Sequence, residues 1–252
     1  MTFDLVVATL GRVDELEALL DSLEQQTHRD FRVLVVDQND DNRVEDVIRP
    51  CELDIVHLRA PAGLSRARNE ALAHLRADVV AFPDDDCIYP DDLLERVASR
   101  LTPDLDGLTG REPWWPAGPA RLTRENLWNR AISFTIFLRR SVVERVGPFD
   151  ETLGLPDSSG EEIDYLIRAL DAGARIDYDP TLVVEHPAKV RDLAAVGARD
   201  GASLGYILRK HRYPPRVVAR MLVRPAAGVV AEPRRARFHL ETLRGRLRGL
   251  RS

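Results

Sequence analysis

Three short apolar segments near the start of the chain constrain the fold more than any other feature. Residues 3–9, 31–36 and 79–82 are rich in Val, Leu, Ala and Phe, a composition typical of buried strands. Helical periodicity follows the first segment over residues 12–26 and precedes the third over residues 65–76. Because strands and helices alternate over short links, we expect an α/β fold with a mostly parallel central sheet flanked by helices.

These predicted strands end in polar residues that share one edge of the sheet. Thr9 ends the first strand, Asp37 follows the second, and Asp84 follows the apolar run 79–82. Ligands of parallel α/β sheets bind beyond the carboxyl ends of the strands. We therefore expect the three side chains to converge on one crevice.

Three consecutive carboxylates, Asp84, Asp85 and Asp86, lie at this edge. Adjacent acids repel one another, so a positive partner is expected between them unless all three face water. Mg²⁺ and Mn²⁺ take carboxylate oxygens, and residues two apart on an extended chain, here Asp84 and Asp86, lie on one side. The alternative is a solvated turn before a helix over residues 91–101, whose N-terminus favours acids.

The loops exclude several nucleotide-binding classes. No G-x-G-x-x-G motif follows the first strand, which argues against a dinucleotide site, and the sequence contains no G-x-x-x-x-G-K motif of a P-loop. A sugar nucleotidyltransferase is expected to have a glycine-rich loop after its first strand. The loop Thr9-Leu-Gly-Arg12 is too short for that role.

Three motifs that do occur follow one another along the chain. They are Gly63-Leu-Ser-Arg-Ala-Arg-Asn69, Asp84-Asp-Asp86 and Gly160-Glu-Glu-Ile-Asp-Tyr-Leu-Ile-Arg168. On these motifs, residues 3–186 resemble the family 2 inverting glycosyltransferases, which use nucleotide sugars and have the Rossmann-like A-type glycosyltransferase fold. The resemblance covers about three quarters of the chain.

The resemblance implies a nucleotide site. The family's acid after the second strand, here Asp37, binds the base, and Thr9 lies beside it. Arg68 helps to hold the nucleotide, and Asp85 is expected to contact it as well. The alternatives are a turn acid for Asp37 and a solvated helix arginine for Arg68.

The resemblance also implies a metal site. The family's D-x-D motif falls on Asp84 and Asp86, and His186 matches a histidine that binds the metal in some members. A lone histidine at a strand end is also common as a surface or capping residue. The expected cofactor is Mn²⁺ or Mg²⁺.

The catalytic base of the family is usually an aspartate, and Glu162 stands at its position. Its neighbour Glu161 is expected to contact the acceptor. Capping boxes formed with Ser158 and Ser159 are the alternative explanation of both glutamates. Trp114 and Trp115, in a proline-flanked loop, are expected to stack on an acceptor sugar, with packing in a core or lid as the alternative.

The C-terminal segment 188–252 differs in charge from the rest of the chain. It holds 16 Lys and Arg against 4 acids, or +12, whereas residues 1–187 hold 20 against 37, or −17. Its basic clusters are 209–212, 234–237 and 244–248. Leu and Val along one helix side and arginine along the other favour a peripheral contact with an anionic membrane face, with a solvated face or a homo-oligomer contact as the alternative. Nucleic acid is not expected, because no known binding module is present and the body is acidic.

We expect a catalytic domain over residues 1–187, with a nucleotide-binding half at 1–103 and an acceptor-binding half at 104–187. A basic helical extension, 188–252, follows. No apolar run reaches the roughly 20 residues of a spanning helix, and the chain opens on a strand pattern rather than a signal peptide. The expected location is therefore the cytoplasm, including its membrane face.

The sequence as a whole predicts a metal-dependent inverting glycosyltransferase. Its donor is a UDP- or dTDP-linked sugar, its acceptor is a hydroxyl of a glycan or lipid-linked glycan, and its role is in cell-surface polysaccharide biosynthesis. A sugar nucleotidyltransferase of similar fold and a noncatalytic protein that binds nucleotide sugars or glycans are the alternatives.

Overall fold

The computed structural model describes residues 1–112, 114–186 and 192–252. These residues form two compact units. The first contains residues 1–149 and 165–186, and the second contains residues 150–164 and 192–252. The expected domain boundary after residue 187 stays a prediction, and by its contacts the segment 150–164 groups with the C-terminal residues.

Eight strands among the described residues form one sheet in the first unit. They are β1 (Phe3–Thr9), β2 (Phe31–Asp37), β3 (Ile55–Arg59), β4 (Val79–Ala81), β5 (Gly107–Arg111), β6 (Ala120–Arg121), β7 (Ile136–Arg139) and β8 (Ile176–Val183). Their order is β3-β2-β1-β4-β7-β5-β8-β6. Strands β1 to β4 pair in parallel, β5 pairs in parallel with β8, and the pairings of β7 and β6 are antiparallel. The predicted mostly parallel α/β sheet is therefore confirmed.

The described residues also form α-helices in both units. They are α1 (Val13–Glu24), α2 (Arg43–Ile48), α3 (Leu64–Leu72), α4 (Leu93–Arg100), α5 (Arg140–Val146), α6 (Glu161–Asp171), α7 (Leu193–Lys210), α8 (Pro215–Ala231) and α9 (Ala236–Gly249). Short 3-10 turns lie at Leu127–Asn129, Ser133–Thr135 and Pro233–Arg235. Helix α6 starts within the second unit and ends within the first.

Amphipathic spacing explains how the first unit builds its core. The buried leucines of α1 recur at intervals of three or four residues, which places them on one helix face. That face packs in one apolar cluster with the buried side chains of β1 and β2. The parallel register sets Thr9 opposite Asp37, so the ends of both strands reach the same edge of the sheet.

Small residues hold the helices of the second unit together. A Cβ atom placed on Gly201 of α7 would lie 2.5 Å from the backbone oxygen of Thr242 on α9. Gly197 and Gly205 meet α9 equally closely one turn to either side. The two helix backbones therefore touch directly, which only glycine permits. Among the described residues no helix combines the length and the apolar character needed to cross a membrane.

Candidate active site

The acidic turn after β4 lies at the carboxyl edge of the parallel strands. Strand β4 is buried on both sides between β1 and β7. A bridge between Ala8 and Asp84 continues the pairing with β1 beyond the strand itself. The backbone N–H of Cys87 donates to the carbonyl of Asp84 (3.2 Å) and closes the turn. This pairing fixes the three carboxylates beside the end of β1.

His186 reaches the same turn from the other half of the sheet. Just beyond β8, Glu185 and Ile88 exchange two backbone hydrogen bonds of 2.8 and 3.1 Å. The imidazole of His186 stacks on the ring of Phe134, with centroids 5.0 Å apart. Its Nε2 lies 3.1 Å from Oδ1 of Asp86.

Asp84, Asp86 and His186 are thus brought together. One ligand atom from each lies within 4.8 Å of the other two. Two ligands of one Mg²⁺ ion are at most about 4.2 Å apart, since each lies about 2.1 Å from the metal. Two carboxylate oxygens and one imidazole nitrogen are donors that Mn²⁺ and Mg²⁺ accept, so the cluster fits a divalent cation after small side-chain shifts.

Arg12 is a member of the site that sequence reasoning missed. Its Nη1 lies 2.7 Å from Oδ1 of Asp85 and 3.1 Å from Oδ2 of Asp86. Burial raises the pKa of the Asp85 carboxyl, and the Arg12 guanidinium opposes that rise. The positive partner expected between the acids is thus supplied in part by the chain, and the position of Arg12 just after β1 was the available signal.

Arg68 lies at the centre of the site rather than in solvent. Its side chain is 1% exposed, and its guanidinium lies 5.7 and 5.5 Å from the ring centroids of Phe82 and Phe149. Its Nη2 is 3.4 Å from Oδ1 of Asp84, which also accepts a hydrogen bond from the hydroxyl of Ser133 (2.9 Å). The interpretation of Arg68 as a solvated helix residue is therefore wrong.

Asp37 is fully buried and held from both sides. Its Oδ1 accepts hydrogen bonds from the backbone and side-chain nitrogens of Asn39, at 2.9 and 2.8 Å. Its Oδ2 lies 3.1 Å from Nε2 of His57 and 3.4 Å from Nη1 of Arg59. Asp37 thus has a structural role in its turn, and His57 and Arg59 on β3 are further neighbours that sequence reasoning missed.

The loop after β5 carries the two predicted aromatic residues. Trp114 is 77% exposed, and Trp115 is half-buried, with its backbone N–H donating to the carbonyl of Glu112 (3.0 Å). Burial raises the pKa of Glu112, and the charge of His186 opposes this rise. Only Trp114 presents most of its ring to solvent, so it is the better placed of the two to stack on a ligand.

The first turn of α6 belongs to the second unit and contains both predicted glutamates. Glu161 is 5% exposed, whereas Glu162 is half-buried. The hydroxyl of Ser159, which the alternative interpretation places in a capping box, donates to Oδ1 of Asp200 (2.8 Å). The hydroxyl of Ser158 donates to the carbonyl of Thr152 (3.1 Å) within the preceding turn.

A buried ion cluster holds this turn in the second unit. Asp164 is completely buried, and its Oδ1 lies 2.6 Å from Nζ of Lys210 and 2.8 Å from Nε2 of His211. Lys210 also contacts Oδ2 of Asp150 at 2.6 Å, and the hydroxyl of Tyr206 donates to the same oxygen (3.1 Å). The start of α6 is therefore tied to the end of α7 by charge.

Fold and site together define a class of protein. A parallel 3-2-1-4 strand order, with acids of a D-x-D motif and a histidine gathered at its carboxyl edge, describes an enzyme with the A-type glycosyltransferase fold. The profile of glycosyl transferase family 2 matches residues 4–147. The chain belongs to this family, and the predicted family and transferase class are confirmed.

Curated relatives carry glycosyltransferase names. The chain is 28% identical over 238 residues to the pre-mycofactocin glycosyltransferase of Mycobacterium tuberculosis, covering 82% of this chain and 47% of that protein. It is 26% identical over 205 residues to the glycosyltransferase AglE of Haloferax volcanii, covering 73% and 66%. The chain therefore spans about half the length of the first of these relatives.

Solved structures share the fold. The mannosyltransferase PcManGT from Pyrobaculum calidifontis, in complex with GDP-Man and Mn²⁺, matches with a TM-score of 0.75 and 18% identity over 98% of this chain and 86% of that one. TarS 1–349 of S. aureus in complex with UDP matches with a TM-score of 0.63 and 17% identity, over 98% and 90%. At this level of identity the likeness establishes the A-type fold alone.

Proposed function

We propose that this enzyme is a metal-dependent inverting glycosyltransferase that moves a sugar from a UDP- or dTDP-linked donor to a hydroxyl of a glycan or glycolipid. The observation that carries the proposal is the cluster of Asp84, Asp86 and His186, with ligand atoms within 4.8 Å at the carboxyl edge of the sheet. The Mn²⁺ in the PcManGT complex and the nucleotides in both structural neighbours support a divalent cation and a nucleotide-sugar donor here.

The donor would be held by charge and by shape. Asp84, Asp86 and His186 would bind Mn²⁺ or Mg²⁺, which neutralises charge on the departing diphosphate. Arg68 supplies fixed positive charge beside Asp84, and Arg12 supplies it beside Asp86. Asp85 lies beside Arg12 within this nucleotide site.

Thr9 and Asp37 would recognise the base. Asn39 occupies both lone pairs of Oδ1, so an N–H of uracil or thymine would be accepted at Oδ2, beside His57 and Arg59. Because the side chain is fully buried, its turn would have to shift to admit the base. His57 and Arg59 hold that carboxylate in place, at 3.1 and 3.4 Å from its Oδ2. Such an acceptor favours a base with an N–H at this edge.

Transfer would proceed in one displacement. Glu162 takes the proton of the acceptor hydroxyl, whose oxygen forms a bond to the anomeric carbon while the bond to the diphosphate oxygen breaks. The electron pair leaves with the nucleoside diphosphate, and attack from the opposite face inverts the configuration. Glu162 is better exposed than Glu161, and Trp114 offers its ring to the acceptor sugar.

We place this reaction in the building of a cell-surface polysaccharide at the cytoplasmic face of the membrane. Two relatives with glycosyltransferase names support sugar transfer rather than nucleotidyl transfer. The basic C-terminal segment supports a lipid-linked acceptor, because its positive charge would attract an anionic membrane face.

A donor screen tests the proposal. Purified protein is incubated with UDP-, dTDP- and GDP-linked sugars, with and without Mn²⁺, and thermal shift and slow donor hydrolysis are read. We expect both signals for one donor and only when metal is present. Pyrophosphate-dependent exchange would instead identify a nucleotidyltransferase, and binding with neither hydrolysis nor transfer to any acceptor would identify a noncatalytic protein.

A further inference from the structure

Helix α8 turns an apolar face outward. Its buried side consists of Val217, Pro225 and Gly228, with Gly228 packed against the ring of His239 on α9. On the opposite side Val223 is 63% exposed and Val230 is 81% exposed. Alanines at helical spacing continue this exposed face between and beside the two valines: Ala219, Ala226 and Ala227.

Helix α9 adds a second exposed face with the same character. Leu240 and Leu247 are 36% and 38% exposed. Three exposed arginines share that face at helical spacing, Arg237, Arg244 and Arg248, and the exposed Arg251 follows the end of the helix. Arg246 points away from it, because its guanidinium donates to the carbonyl of Met221 on α8.

The charge around these apolar side chains is almost entirely positive. Residues 212–252 contain 11 arginines and two acids, a balance of +9. Both acids are already paired, Glu232 with His239 (3.5 Å) and Glu241 with Arg244 (2.7 Å). Helix α8 itself contains three arginines and no acid, and all three arginines, Arg216, Arg220 and Arg224, are exposed.

The combination of apolar and cationic groups on the exposed face of α8 distinguishes between possible partners. Val223 and Val230 lie on one helix face with three exposed alanines, and a contiguous apolar face of this kind marks an interaction site rather than an ordinary solvated surface. A nucleic acid would pair with the arginines only. A second copy of the same surface would bring +9 against +9, which repels. An anionic bilayer matches both features, since its headgroups attract arginine and its acyl boundary accepts apolar side chains.

We propose that the exposed face of α8, defined by Val223, Val230, Arg216 and Arg220, is a docking surface for an anionic lipid bilayer, and that the exposed arginines of α9 add to its positive charge. Helix α8 lies in the headgroup region without crossing it. The role of this surface rests on the proposed function: it would bring the enzyme to a lipid-linked acceptor. Vesicle binding itself requires no sugar transfer.

Flotation of the full chain with lipid vesicles tests the surface. One set of vesicles is pure phosphatidylcholine and the other contains about one third phosphatidylglycerol, each at 0.05 and 0.5 M NaCl. We expect the protein to float only with the anionic vesicles and to be released by the higher salt, because salt screens the arginines. Flotation with both kinds of vesicle alike, or with neither, would overturn the proposal.

Matched variants assign the binding to this surface. Arg216→Gln with Arg220→Gln should weaken anionic-vesicle binding roughly tenfold or more, whereas Arg49→Gln with Arg145→Gln, two exposed arginines of the first unit, should not. Val223→Ser with Val230→Ser should reduce binding while Leu193→Ser, at an exposed apolar residue of α7, leaves it unchanged. Equal losses in the control variants would reject the assignment.

Two further readouts keep the inferences apart. A concentration-dependent dimer in gel filtration that the Val223→Ser and Val230→Ser changes abolish would mean that a second copy covers the surface. Donor hydrolysis is measured on the same preparations. Protein that floats but hydrolyses no donor contradicts the proposed function alone, and protein that hydrolyses donor but does not float contradicts the docking surface alone.

Discussion

Asp86 contacts an imidazole and a guanidinium of the chain through its two oxygens. Oδ1 lies 3.1 Å from Nε2 of His186, and Oδ2 lies 3.1 Å from Nη1 of Arg12. The side chain is 1% exposed, so water contributes little to its solvation. A buried carboxylate in this position depends on neighbouring positive charge, and a divalent cation would add to what Arg12 supplies.

Replacing Asp86 should weaken the metal-dependent binding of the donor nucleotide. In Asp86→Asn, calorimetric titration with UDP or dTDP in the presence of Mn²⁺ should show affinity lower by about tenfold or more, which is about 1.4 kcal/mol. Asp21→Asn, at an exposed position on α1, is the matched control and should bind as the parent does. Equal affinity of the parent protein with and without Mn²⁺ would remove the metal from the mechanism.

Replacing Glu162 should remove the base without disturbing the fold. Glu162→Gln keeps the shape of a half-buried side chain but cannot take a proton, so turnover should fall by 10² to 10⁴, about 2.7 to 5.5 kcal/mol. Donor affinity and melting temperature should stay near those of the parent. Glu161→Gln is the control, and because Glu161 is buried its main cost should be in stability. Turnover of Glu162→Gln within a few fold of the parent would identify another carboxylate as the base.

At the residue scale, the sequence predicted the site residues that belong to a recognisable motif, and it did not predict those that reach the site only through the fold. The spacing of Asp84 and Asp86 and the family resemblance of His186 predicted three side chains that the structure gathers within 4.8 Å. Ser133 reaches Asp84 across 49 positions, and Arg12 reaches Asp85 across 73. The sequence near each residue does not predict such contacts, because they depend on the order of strands in the sheet.

At the scale of elements, the end of α7 supports the start of α6. Sequence placed residues 209–212 among surface cations, but Lys210 and His211 turn toward the fully buried Asp164. Lys210 also contacts Asp150. One ammonium group thus offsets the negative charge of two carboxylates. If the ammonium group is removed, water cannot easily reach either carboxylate to replace it.

Removing this ammonium should destabilise the second unit. Lys210→Met removes the ammonium group from Asp164 and leaves the imidazole of His211 beside it. We expect a loss of about 3 kcal/mol in the free energy of unfolding, the lower end for breaking a buried pair. Arg209→Met, one residue away and exposed, should cost far less. Chemical denaturation of both variants measures the difference, and equal losses would show that the buried cluster is not the cause.

The same cluster sets an acid dependence. Burial alone would raise the pKa of Asp150, but hydrogen bonds from Lys210 and Thr152 hold it well below its ordinary value. A carboxyl group with a lowered native pKa stabilises the fold above its unfolded-state pKa of about 4, and this stabilisation is lost as the pH falls toward the native pKa. The free energy of unfolding of the parent should therefore decrease below about pH 4, and the decrease should be shallower in Lys210→Met. Parallel profiles of parent and variant would argue against the contribution of Asp150.

The end of helix α3 is an example of an element boundary that the sequence did not predict. Periodicity predicted a helix over residues 65–76, and the helix ends at Leu72. The backbone N–H groups of Arg76 and Ala77 donate to Oδ2 of the buried Asp4, at 2.6 and 2.9 Å, and so leave the helical pattern. The residues after Leu72 thus bond to a carboxylate more than 70 positions away. The spacing of hydrophobic residues within the helix cannot predict such a distant contact.

At the scale of the whole molecule, the chain returns to its second unit after a long interval. Residues 150–164 separate from the preceding sheet and group with residues 192–252. The contacts that join them span large intervals: Ser159 bonds to Asp200 and Ser203 across 41 and 44 positions, and Asp164 to His211 across 47. Composition changes near residue 188, where the basic segment begins, so sequence alone could detect that segment but not its partner at 150–164.

Native-state hydrogen exchange of the full chain tests this grouping. Amides that open together in one cooperative event share one opening free energy as denaturant rises. If residues 150–164 and α7 form one unit, their slowest amides should reach a common opening free energy, and Lys210→Met should lower it by the same amount in both segments. The slowest amides of β1 and β2, which belong to the first unit, are the internal control and should keep the parent value. Two results would contradict the grouping: residues 150–164 exchange in step with β1 and β2, or Lys210→Met changes exchange in α7 but not in residues 150–164. Either result would mean that the first unit stabilises the first turn of α6 and that the cations of α7 do not.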